Sequence, residues 1–217
     1  MMFIVFATFA VFAAAEPTRP GCCVPPQWEG RQGSIIGSVN KGSTSVTNAN
    51  YFMSYDETNQ RVYYETEAET EGVTQYLKII QNFAKGMQYV IDLQKQNCSS
   101  FPISQQFPKI CLPADAQLAG KIYFGIGTNR FDALSFTYYT HGTNVTVVGT
   151  PDDCIPVIDV LRVKDSSMGT AQMTFTGFVD LTVGIRDPSI FNVPSICKQV
   201  DPSLFKSIAR NEGFFRF

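Results

Sequence analysis

The sequence predicts an all-β fold of antiparallel strands with one short helix near its C-terminus. Two observations carry that expectation. Through most of the chain apolar and polar residues alternate with period two, in runs rich in β-branched and aromatic side chains. Short polar or glycine-bearing turns separate the runs, at spacings that suit hairpins rather than crossover connections.

The elements follow in order. Residues 30–39 read as a first strand, and Asn40–Lys41–Gly42–Ser43 as the turn after it. Tyr51–Tyr55 and Arg61–Glu67 flank a hairpin loop at 56–60. Gln75–Phe83 and Met87–Leu93 flank Ala84–Lys85–Gly86, where glycine accepts a positive φ. In the later arm Met87, Tyr89, Ile91 and Leu93 point one way, which predicts one buried face. Phe131–Tyr139 and Asn144–Val148 surround His141–Gly142–Thr143. Ile155–Val163 is an apolar strand interrupted by Asp159 and Arg162. Residues 172–185 alternate clearly, with Met173, Phe175, Val179 and Leu181 opposed to Thr174, Thr176 and Asp180, and Gly177 marks an expected bulge or bend. Asp187–Phe191 reads as one helical turn. Asp201 as N-cap and Pro202 at the first helical position open the expected helix, which runs to Arg210.

Residues 1–15 read as a signal peptide. Phe3–Ala15 is uncharged and too short to span a bilayer, which takes about 20 apolar residues. Ala13 and Ala15 suit a small-residue cleavage site. The alternative is an N-terminal anchor helix, because no Lys or Arg precedes the apolar run. No later stretch is apolar enough to span a membrane. Residues 16–217 are expected to form a single domain, secreted or delivered to a lysosomal lumen. In such a compartment the six cysteines, Cys22, Cys23, Cys98, Cys111, Cys154 and Cys197, read as three disulfides.

Charged residues make up 17% of the chain and aromatics 13%, an apolar load that can line a cavity as well as fill a core. With a net charge of −2 and no Lys/Arg run, nucleic acid is not an expected partner. Catalysis has little to stand on. His141, the one histidine, lies in a turn, and no nucleophile elbow, P-loop or zinc-protease motif occurs. Gly125–Ile126–Gly127 lacks the third glycine and the helix of a dinucleotide site. No two cysteines have the spacing at which thiolates share zinc. Glu65, Glu67, Glu69 and Glu71 alternate and, if extended, project on one side; a hard cation such as calcium would relieve their repulsion. An exposed acidic strand end is the plainer reading. Asp152, Asp153 and the pair Asp56–Glu57 are further candidates in ordinary turn sequences. Asn144–Val145–Thr146 and Asn97–Cys98–Ser99 are glycosylation sequons, the latter containing a cysteine.

Several stretches, in order, resemble the ependymin-related proteins. They are Cys22–Gln32, Tyr55–Asp56 with Asn59–Val62, Ile91–Asp92 with Cys98–Ser99, Asp153–Val157, and above all Phe178–Cys197 with its Gly184–Ile185–Arg186–Asp187–Pro188–Ser189–Ile190–Phe191 core. The resemblance implies a secreted, calcium-binding glycoprotein with a role in cell–matrix adhesion, extracellular matrix components as partners, and homodimers. It implies two antiparallel sheets curved into a half-barrel cup around an apolar pocket, similar to bacterial lipoprotein carriers and suited to a hydrophobic or lipid-like ligand. An enzyme is not expected, because the sequence offers no nucleophile–base pair. The family pairing would join an N-terminal cysteine to Cys154, and Cys98 to Cys197. This chain departs from the pattern in having the doublet Cys22–Cys23, and in having Cys111 in place of a pair that ties the C-terminal tail. One member of the doublet is then expected with Cys154 and the other with Cys111, in either order. Candidate pocket walls are Tyr89, Ile91, Phe136, Tyr138, Val160, Phe175 and Leu181, each of which also suits plain core. The competing reading is a purely structural or adhesive matrix protein without a small-molecule ligand.

Overall fold

The structure, a computed structural model, describes residues 21–165 and 168–199. The signal segment and the helix expected at 201–210 lie outside the described residues. Among the described residues there are eleven strands: β1 (Gln27–Asn40), β2 (Ser43–Asp56), β3 (Arg61–Thr70), β4 (Val73–Asn82), β5 (Met87–Asp92), β6 (Asn97–Pro102), β7 (Gln117–Ile126), β8 (Asn129–Thr140), β9 (Thr143–Gly149), β10 (Pro156–Asp165) and β11 (Thr170–Val183). Pro188–Phe191 and Ser195–Gln199 form short 3₁₀ turns. The first is capped by Asp187, whose side chain accepts a hydrogen bond from the Ser189 amide. No helix among the described residues is long and apolar enough to cross a membrane.

Two-residue turns build the hairpins. Lys41–Gly42, Glu71–Gly72 and His141–Gly142 each place both residues at positive φ, the type I′ geometry that matches the twist of paired strands. The wider β2–β3 turn is organised by Asp56, which is fully buried. It accepts from Gln27 Nε2 at 2.9 Å, Asn59 Nδ2 at 2.8 Å and Arg61 Nε at 2.8 Å. Burial alone would raise its pKa, but these donors outweigh it and hold the carboxyl below the usual range.

All strands belong to one sheet, in the order β6-β5-β4-β3-β2-β1-β11-β10-β9-β8-β7. This corrects the expectation of two sheets. β1 and β11, each of 14 residues, pair antiparallel from Trp28↔Val183 to Asn40↔Thr170. That ladder fuses the meander β1–β6 to the meander β7–β11 and leaves no boundary at which separate sheets could form. The bulge expected at Gly177 lies elsewhere. Gly33 and Gly177 pair in regular register, and the irregularity falls opposite Gly30, at Asp180 (φ 55°) and Leu181. Gly30 makes this possible, since a Cβ there would stand 2.5 Å from Leu181 Cδ2.

The two faces of the sheet are covered differently. One face, here the inner, carries Trp28, Met53, Tyr55, Val62, Tyr64 and Ile79 under Val24, Phe107 and Ile110. Tyr55 donates to the Pro108 carbonyl at 3.1 Å and stacks on Trp28. The outer face carries Tyr63, Ile80, Ile91 and Cys98 under Phe191 and Cys197. β5, expected to bury one face, contributes to both, with Ile91 in the outer core and Val90 against the inner one. Arg61 lies over the Phe191 ring at 4.1 Å, and Glu29, nearly inaccessible, accepts from Arg186 Nε and Ser54 Oγ, each at 3.0 Å. These contacts seat the C-terminal segment on the outer face.

Disulfides pin both covering segments. Cys98–Cys197 holds the C-terminal segment to β6, Cys22–Cys154 ties the N-terminal segment to the β9–β10 connection, and Cys23–Cys111 crosslinks the N-terminal segment to the β6–β7 connection over the inner core. They close separations of 99, 132 and 88 residues. In the chain-entropy model each contributes ~4–5 kcal/mol, less in combination because the loops overlap.

Candidate functional site

Register assigns every side chain of the β7–β11 half to a face. On the inner face Phe136, Val147, Asp159, Thr176, Ser34 and Ala49 form one row across six strands, from β8 to β2. The neighbouring row is Tyr138, Val145, Leu161, Thr174, Ile36 and Thr47. Within these rows small residues are buried, Ala49 at 2% exposure among them, along with Ser34, Thr47 and Thr176. On the outer face the directly adjacent Ile35 is 56% exposed, Phe175 42% and Tyr139 64%. A sheet coiled toward its inner face produces that asymmetry, because curvature crowds one set of side chains and splays the other.

Both buried apolar clusters lie on the half built from β1–β6, with Leu181 of β11 at their margin. The β7–β11 half has an apolar inner face of Leu134, Phe136, Tyr138, Val147 and Leu161, all partly buried. Polar atoms stud the inner surface. Trp28 Nε1, Thr66 Oγ1 and Asp159 Oδ1 are buried without a hydrogen-bond partner, and register puts all three on the inner face. Buried polar atoms are ordinarily paired, and of these three only Asp159 Oδ1 lies on the β7–β11 half. Burial pushes the Asp159 carboxyl up to about 7. The Tyr138 phenol is raised by burial first and then by the nearby Asp159 charge.

The seven residues expected to wall a pocket do not converge. Tyr89 and Ile91 belong to the outer core beneath the C-terminal segment. Val160 and Phe175 are paired neighbours on the outer face. Phe136 and Tyr138 are on the inner face of β8, and Leu181 is on the inner face of β11 against Gly30. Periodicity finds alternating residues but not which parity faces inward. The Asp180 bulge further places Phe175 and Leu181, six apart in sequence, on opposite sides. Leu181 borders a cavity of about 20 Å³ with Val24, Trp28, Ile155 and Pro156, room for roughly one water rather than a lipid.

The expected cation ligands are spread out. Glu65, Glu67 and Glu69 do share the outer face of β3. Tyr63 Oη donates to Glu65 and Tyr76 Oη to Glu67, each at 3.0 Å, and Lys78 stands 3.6 Å from Glu65. Glu71 sits in the next turn, and Asp152 and Asp153 are exposed in the β9–β10 connection. Among the described residues no three His, Cys, Asp or Glu side chains come together in an arrangement suited to a metal ion. Asn97 and Asn144 are both exposed, and His141 is exposed at a hairpin tip with Nδ1 2.9 Å from Thr140 Oγ1. Asp159 is the functional candidate that pattern alone does not single out. Its signal is a lone carboxylate inside the apolar run 155–163.

Comparison with known proteins adds a family. The sequence model described as Ependymin matches residues 71–197. The chain is 30% identical to Ependymin-related protein 2 of Haliotis asinina, over 91% of this chain and 100% of that protein. It is 28% identical to Ependymin-related protein 1 of the same organism, over 87% and 96%. Among solved structures, an uncharacterized conserved protein from Thermus thermophilus aligns over 79% of this chain and 87% of that one, with 9% identity and a TM-score of 0.48.

Proposed function

This chain belongs to the ependymin family, and we propose that it is a secreted glycoprotein that carries a hydrophobic, lipid-like ligand against the inner face of its sheet. One observation carries the proposal. Among the described residues both buried cores serve the β1–β6 half, while Phe136, Tyr138, Val147 and Leu161 on the other half remain partly accessible. A ligand of matching apolar surface would bury them, at roughly 25 cal/mol per Å² removed from water. The three disulfides suit an oxidising compartment, and exposed Asn97 and Asn144 are accessible to glycosylation. Asn144 is the better acceptor, since Cys98, inside the other sequon, is bonded to Cys197.

Native mass spectrometry of protein secreted by eukaryotic cells tests this reading. The expected result is a population carrying co-bound lipid, released by organic extraction and restored by added fatty acid or phospholipid. A clean ligand-free mass with no uptake of either would overturn it.

A further inference from the structure

We propose that Asp159 anchors the head group of the ligand, selecting amphiphiles with a primary ammonium head over those with a neutral head. This rests on the inner-face reading above and deepens it.

Asp159 projects from the middle of β10, between Val147 on β9 and Thr176 on β11. Its Oδ1 is shut off from solvent and accepts no hydrogen bond. In the same row Ser34 Oγ and Thr176 Oγ1 hydrogen-bond to each other at 2.9 Å. A carboxylate oxygen buried without a partner is costly, and no side chain of its own row donates to this one.

The surrounding charges do not supply a cation. On β10 itself Arg162 and Lys164 fall on the outer face by parity, and Asp165 is inner but engaged by the Met168 amide. The inner residues of β9 and of β11 around Asp159, and those of β1 beyond, carry no charge. β8 offers the acidic groups Tyr138 and Asp132, and its inner-face cation, Arg130, lies six residues along the strand from Phe136 with its guanidinium over the Tyr123 ring. Lys121 is inner but on β7, three strands and about 14 Å away at ordinary strand spacing. An ammonium group brought by a ligand would donate to Oδ1 and neutralise the carboxylate, while its alkyl chain lay along Phe136 and Leu161. A hydroxyl head could donate but not neutralise.

The carboxyl, pushed up to about 7 by burial, is mainly protonated at pH 5 and mainly ionised at pH 8. Preference for the amine therefore strengthens as pH rises.

The test uses the secreted full chain loaded with N-phenyl-1-naphthylamine, displaced by dodecylamine or by dodecanol of equal chain length, at pH 8 and pH 5. The wild type is expected to favour dodecylamine by about tenfold at pH 8, the worth of one charge-assisted hydrogen bond, and by much less at pH 5. Asp159→Asn, nearly isosteric, is expected to lose the preference, so that dodecylamine and dodecanol displace the probe with similar potency at both pH values. Equal potency of the two ligands at pH 8, a preference insensitive to pH in the wild type, or a preference retained in Asp159→Asn would each overturn the anchor while leaving the apolar face standing. Failure of both ligands to displace the probe would overturn the ligand-face reading and the anchor together. The wild-type pH comparison needs no variant, so the proposal stays falsifiable if the substitution fails to fold.

Discussion

When Asp159 ionises in the ligand-free protein, its charge has no counter-ion in the surrounding rows, so its effect on stability depends on pH. Its folded pKa, about 7, lies above the unfolded value of 3.8. The native state therefore binds the extra proton between those values, and stability falls as pH rises through that window. Below pH 4 the group contributes no penalty, and above pH 7 it costs up to ~4 kcal/mol. Asp159→Asn should accordingly raise the melting temperature at pH 8 and change it little at pH 4.5, as read by circular dichroism or scanning calorimetry. A melting temperature that drops at both pH values would mean that the carboxylate is a structural hydrogen-bonding group. The residue is visible in the sequence as a lone acid in an apolar run. Its meaning is not, because only the pairings Asp159↔Thr176 and Asp159↔Val147 decide which face it occupies.

At the scale of elements, the hairpins are the legible part. Lys41–Gly42 and His141–Gly142 announce tight turns, because glycine at the second position takes the positive φ those turns require. Strands β1 to β5 and β8 to β11 follow from period-two runs between such turns. β6 and β7 escape a pattern reading. β6 is only six residues long, and β7 breaks its alternation at the Leu118–Gly120 register shift. The β11 bulge falls away from its expected place for a related reason. Gly177 is the obvious flexible residue in the strand, but the space that permits the bulge is made by Gly30 on the neighbouring strand. Gly30→Ala should therefore destabilise by ~1–3 kcal/mol, the usual cost of overpacking. Combining it with Leu181→Ala, which removes the opposing side chain, should cost less than the sum of the two single changes, measured by denaturant unfolding in a double-mutant cycle. Strict additivity would show that Gly30 serves its own strand rather than Leu181.

The described chain is two meanders fused along β1 and β11, with the C-terminal segment stapled to β6 of one half and the N-terminal segment stapled to the β9–β10 connection of the other. The family resemblance foresees antiparallel sheet and cysteine-linked termini, but not a single continuous sheet. That outcome depends on a ladder between residues more than a hundred positions apart, which no local pattern encodes. The site is harder still to read from sequence, because its residues come from different strands and share only a face. Everything proposed for this protein depends on ligand binding to the inner face of the β7–β11 half. Photo-crosslinking with a diazirine-bearing fatty acid, followed by peptide mapping, locates that ligand residue by residue. Adducts are expected on Leu134, Phe136, Tyr138, Val147 and Leu161. Adducts confined to the outer-face residues Tyr139, Met173 and Phe175, or no saturable labelling at all, would contradict an inner-face site.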